Sequence, residues 1–206
     1  MKLEGIHHIT AICADAKANV DFYTKVLGLR MVKKTVNYDM PDVYHLYYGD
    51  DVGSPGSVLT FFEFPGAQRG VAGTGMIYKI IWRVASASAL DFWQSRLSTE
   101  SVIFTRDELT LSFFDREGLG LELAVVGPLD PPLMAKDPNV LPEYAIRGFQ
   151  GVRAYSRSPD QSDRVLAAMG MTRQGGGDGV GPPRYLLQGE KRRATYSLEP
   201  APQTPA

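Results

Sequence analysis

Three histidines and one cysteine are the side chains of this 206-residue chain with the widest chemical reach. Two of the histidines, His7 and His8, stand side by side in the stretch GIHHITAIC. Imidazoles near neutral pH do two jobs, metal ligation and proton transfer. The stretch is β-branched and reads as a strand. Neighbouring residues on a strand point to opposite faces, so only one of the pair can face a given interior. The third histidine, His45 in VYHLYYGD, falls on a middle strand. It reads as a half-buried sheet histidine packed against Tyr44 and Tyr47 or bonded to a neighbouring backbone. Cys13 stands alone, which rules out an internal disulfide and suits a reducing cytoplasm. The run GGGDGVGPP at 175–183 lacks the following helix and the Lys-Ser pair of a phosphate loop, and reads as a hairpin connection.

These residues need elements to hold them, and the elements repeat. From Gly5 the order is a strand, a helix (DAKANVDFYTKVLG) and three strand-like runs, LRMVKKTVNY, VYHLYYGD and SVLTFFEF. Val20, Tyr23 and Leu27 recur at helical spacing, with Asp15 as N-cap and Gly28 as terminator. The order returns with GMIYKIIWRV, the helix SASALDFWQSRL, and SVIFTRD, LTLSFFD and LGLELAVV, with Trp82 and Trp93 as core residues. After the proline-rich PLDPPLMAKDPNVLP it returns more loosely. IRGFQGVRAY is a strand, SPDQSDRVLAAMG a helix capped by Ser158, and MTRQ, PRYLLQGE and RATYSLEP are strands. The expected organisation is α+β: two complete βαβββ units within 1–126 (1–65 and 73–126), a linker at 127–143, a third unit at 144–199 and a tail at 200–206. One helix per small sheet leaves a face uncovered, so such units pair to enclose a cavity. Three units leave one unpaired, which makes a homo-oligomer an expectation.

Composition narrows the partners. The formal net charge is -1 and the basic residues are scattered, which argues against nucleic acid. No apolar run has the length of a membrane span and the N-terminus lacks a signal-peptide pattern, so a cytoplasmic protein without membrane contact is expected.

The stretches GIHHIT, FYTKVLGLRMVKKTVNYD, YHLYYGD and GSPGSVLTFF together resemble the vicinal oxygen chelate superfamily of glyoxalases, bleomycin-resistance proteins and extradiol dioxygenases. Within it, the first unit resembles the ring-cleaving dioxygenases that act on hydroquinones. The resemblance covers residues 5 to 65 best, 73 to 126 moderately and 144 to 199 weakly. It implies four units with the first paired to the fourth and the second to the third, and this sequence holds no match to the fourth. It also implies Fe(II) on two histidines and a glutamate, with a small aromatic substrate and O2. By resemblance His8 is an iron ligand, while His7 and Thr10 stand beside the substrate. His7 would move a proton and Thr10 would orient oxygen. The other two ligands of the family pattern have no counterpart here.

Superposing the repeats audits the ligand positions. His7-His8-Ile9 aligns with Tyr78-Lys79-Ile80 and Gln150-Gly151-Val152, so Lys79 and Gly151 stand where His8 does. On the closing strands Thr60 aligns with Glu122, which makes Glu122 a second metal-donor candidate. The implied pairing puts it in the other cup. Three functions stay open: an Fe(II)-dependent extradiol-type dioxygenase of hydroquinone- or catechol-like rings, a metal-free aromatic- or quinone-binding protein, and another metal-dependent enzyme of the superfamily completed by dimerisation.

Overall fold

The computed structural model describes residues 3–127, 130–175 and 182–202. The glycine-rich connection expected at 175–183 lies, for residues 176–181, outside the described residues. So do the start of the linker at 128–129 and the tail from 203 to 206.

The chain runs β1 (His8–Cys13), α1 (Ala16–Val20), β2 (Arg30–Val36), β3 (Tyr44–Gly49) and β4 (Val58–Glu63). It continues with β5 (Ile77–Val84), α2 (Ala87–Thr99), β6 (Phe104–Arg106), β7 (Thr110–Phe114) and β8 (Gly120–Val125). The last round is β9 (Phe149–Tyr155), α3 (Pro159–Ala168), β10 (Thr172–Gln174), β11 (Arg184–Gln188) and β12 (Arg193–Glu199). The architecture is α+β with strand–helix–three-strand order in each round.

Local chemistry sets the helix ends. Asp15 accepts from the Ala18 N–H at 2.9 Å and so caps α1. Over Asp21–Val26 the helix widens, and the Leu27 N–H donates to the Phe22 carbonyl five residues back. This winding buries Phe22, Tyr23, Val26 and Leu27 together. Gly28 then ends the helix at φ +64, where a side chain would also meet Val140 at 3.0 Å. Ser86 caps α2 through the Ala89 N–H, and Leu90, Trp93 and Leu97 are fully buried beneath it. Ser158 differs from the expectation: its side chain makes no capping bond, and its N–H donates to Ser156 Oγ instead.

Each round closes by a parallel pairing of its first and last strands, β1 with β4, β5 with β8 and β9 with β12. The second and third rounds then join first strand to first strand, β5 antiparallel to β9, in one eight-stranded sheet. The first round keeps a separate four-stranded sheet of order β1-β4-β3-β2. Its helix side shares one core with the second round, where Phe22, Tyr23 and Leu27 meet the cluster of Trp82, Leu90 and Trp93. Arg96 of α2 locks the two together by donating to the Val26 carbonyl at 2.7 Å. Val140 of the linker, and Ala145 and Ile146 just after it, are buried in the same core. No helix among the described residues is long and apolar enough to cross a membrane.

Candidate functional site

The register of the first sheet determines which side chains share its uncovered face. On β1, Ile9 and Cys13 are buried toward the helix, whereas His8, Thr10 and Ile12 are exposed on the opposite side. Strand neighbours in register point the same way, so the face can be followed across the sheet. His8 stands beside Val58. The next row is Thr10, Thr60, Tyr47 and Lys33, and the one after it Ile12, Phe62, His45 and Thr35. The face therefore carries histidine at one end, hydroxyls along the middle and aromatic rings at the other end. Thr60 donates from Oγ1 to Thr10 Oγ1 at 3.0 Å.

His7 and His8 are both exposed, with rings edge to face and Nδ1 atoms 3.1 Å apart. A hydrogen bond between two Nδ1 atoms needs the proton on one of them. With that proton on His8, its Nε2 is left bare, the protonation state a metal ligand requires. The two rings serve different hollows. His8 and Thr10 border a cleft of about 300 Å3 whose far wall is apolar, formed by Ile77, Val152, Met171 and Leu187. His7 borders a second hollow, with Pro55, Leu133 and Arg192.

His45 belongs to the same face as His8. Its ring lies against Tyr47 and Phe62, at centroid separations of 4.1 and 3.9 Å, and its Nδ1 is 2.8 Å from the Tyr47 hydroxyl. Burial, then the charges of Lys33 and His8, hold its pKa below the usual imidazole value. Tyr44, one of its expected neighbours, occupies the other face beneath the Lys34 ammonium. The alternation in YHLYYG carried the signal: Leu46 and Tyr48 are fully buried, so His45 and Tyr47 had to face away from them.

Glu122 does not join His8. It sits on β8, in the eight-stranded sheet, with its side chain 5% exposed. Lys79 Nζ lies 3.2 Å from its carboxylate, Arg153 donates at 3.0 Å and Ser112 at 3.1 Å. Burial works against the Arg153 charge, and Glu122 and Glu199 outweigh it to raise the guanidinium pKa. A carboxylate already neutralised by two cations is a poor metal donor. Gly151, at the equivalent place in the third round, has no room for a donor, because a Cβ there would lie 2.1 Å from the Thr195 carbonyl oxygen.

An iron centre of the facial type takes three protein donors. No group of three or more His, Cys, Asp or Glu side chains among the described residues could hold a metal ion. By themselves these residues do not fit such a centre.

Comparison with known proteins adds a family. The family described as "Glyoxalase/Bleomycin resistance protein/Dioxygenase superfamily" matches residues 5–128. The chain is 40% identical over 179 residues to "Putative ring-cleaving dioxygenase MhqO" of Bacillus subtilis (strain 168), covering 84% of this chain and 57% of that protein. It is 32% identical over 179 residues to the chlorohydroquinone/hydroquinone 1,2-dioxygenase of Sphingobium indicum, covering 80% and 54%. A crystal structure of a "putative dioxygenase from Bacillus subtilis" superposes with a TM-score of 0.86 at 37% identity, covering 98% of this chain and 66% of that one. The chain spans about half the length of the curated relatives it matches.

Proposed function

The chain belongs to the glyoxalase/bleomycin resistance protein/dioxygenase superfamily, and we propose that it serves extradiol-type cleavage of hydroquinone- or catechol-like rings. The observation that carries this reading is the uncovered face of the first sheet, with its histidine pair, hydroxyl row and aromatic end. A hydroxylated ring is a flat apolar body with polar atoms on its rim, and this surface offers a contact for each. In this reading His8 is the metal donor on that face. His7 holds the His8 ring through Nδ1 and handles a proton at a ring oxygen. Thr10, backed by Thr60, orients an oxygen by a hydrogen bond. The Fe(II) of the family pattern would need its two further donors from outside the described residues. A cytoplasmic location belongs to the same reading, and the single cysteine is consistent with a reducing compartment.

A second reading is favoured by the same misfit of donors: a metal-free protein that binds aromatic or quinone ligands on the open face. One experiment separates the two. The chain is loaded with Fe(II) under anaerobic conditions and oxygen uptake is followed with substituted hydroquinones, beside His8→Ala. Uptake that disappears in His8→Ala supports the dioxygenase reading. An aromatic-induced rise in Tm without iron, together with no uptake, supports the metal-free one.

A further inference from the structure

The pair His45 and Tyr47 is part of the open face but of no role assigned so far. The Tyr47 hydroxyl and His45 Nδ1, 2.8 Å apart, share one proton between them, and either group could supply it. The other ring nitrogen decides. His45 Nε2 is buried and has no hydrogen-bond partner among the described residues. Orphaned buried N–H groups are rarer in folded proteins than under-used acceptors. Burial, with the Lys33 charge beside it, favours the neutral form of His45. Its single proton therefore belongs on Nδ1 and is donated to the Tyr47 oxygen. That leaves the proton of the Tyr47 hydroxyl without an acceptor among the described residues. The His45 ring is held by its packing against Tyr47 and Phe62. Tyr47 itself stands in the row of Thr10 and Thr60, one row from His8.

We propose that Tyr47, oriented by His45, donates a hydrogen bond to a ring-borne oxygen of an aromatic ligand on the open face. This rests on the reading of that face as the binding surface for hydroxylated aromatics, and it deepens it. Tyr47 is the group that touches the ligand, and His45 is a positioning residue that acts through it. The ligand class is an aromatic ring carrying a hydroxyl or carbonyl oxygen on the rim away from its anchoring side, as a hydroquinone or quinone does. A bare alkylbenzene of the same size gains nothing from Tyr47.

Equilibrium binding of hydroquinone and of p-xylene to the full chain tests this. Tyr47→Phe is expected to weaken hydroquinone by about five- to tenfold, the worth of one hydrogen bond, and to leave p-xylene within about twofold. His45→Leu should give the same selective loss, while His45→Asn, which can present an amide N–H near the place of Nδ1, recovers most of it. The Tyr47→Phe/His45→Leu double variant should bind no worse than Tyr47→Phe alone. Tyr47→Phe removes one oxygen and keeps the ring, so it carries the test even if His45→Leu fails to fold. Unchanged hydroquinone affinity in Tyr47→Phe, or full additivity in the double variant, overturns the proposal while the binding surface stands. A parent chain that binds neither ligand overturns both.

Discussion

At Glu122 two cations, Lys79 and Arg153, converge on one carboxylate that is almost wholly withdrawn from water. Replacing it by a neutral amide leaves an ammonium and a guanidinium without the charge that both of them share, although Arg153 keeps its pair with Glu199. Glu122→Gln is therefore expected to cost about 2 kcal/mol, less than for a fully buried pair because both cations are partly exposed. Urea denaturation reads this as a lower midpoint at an unchanged slope, with hydroquinone binding untouched. An unchanged midpoint would mean that the two cations find solvent. The repeat alignment made part of this legible, since Lys79 stands where His8 does and Glu122 where Thr60 does. What it could not show is that these two side chains meet, because that depends on the parallel register of β5 and β8, which puts Lys79 beside Gly120 and Glu122 beside Ile81. His45 was hidden for a related reason. Its residue type was evident, but linking its face to that of His8 needs the pairings of three strands, and pairing is a non-local property.

Among the elements, helices and hairpins were readable because turn formers and caps lie next to what they bound. The join of β5 to β9 was not, because strands separated by a helix, three strands and a linker meet only through tertiary packing. The linker illustrates the difference. Its proline-rich composition reads as a spacer, yet Asp130 on it is paired with Arg83 of β5 in a buried bridge and accepts from the Arg193 N–H at 3.0 Å. Burial alone would raise the Asp130 pKa, but Arg83 and that N–H together bring it below the ordinary value of 3.8. A carboxyl depressed on folding adds stability that is complete above its unfolded pKa and is lost as pH falls through the lower, folded one. Asp130→Asn should therefore cost about 2 kcal/mol at pH 7, and the gap from the parent should begin to narrow below about pH 4 and close as the pH falls through the folded pKa. Tm measured from about pH 2 to 7 for both chains checks this, and a gap that does not narrow at all as the pH falls would remove the charge from the explanation.

For the whole molecule, the cores divide unevenly. One large cluster ties the first sheet, α2, β5, β8 and the linker together. A second, small one of Ala154, Leu166, Tyr185 and Leu198 holds the outer part of the third round, where α3 buries only Leu166. Elements with so little buried apolar area open first. Amides of α3, β10 and β11 are expected to exchange at least about tenfold faster than those of β5 and β8 in native-state hydrogen exchange. Equal protection would show that the two clusters act as one. The parallel closure of each round has a different consequence, one of timing. The Thr10 and Thr60 hydroxyls that meet across β1 and β4 are separated by 50 positions in the chain. Contacts this distant form slowly, since the intervening loop must be closed before it is rewarded. During synthesis the strand that bears His8 is made before its parallel partner β4 and stays unpaired until β4 has emerged. For all that interval its backbone edge is unpaired and Ile9 and Cys13 are uncovered, so the segment that bears His8 is also one open to mispairing.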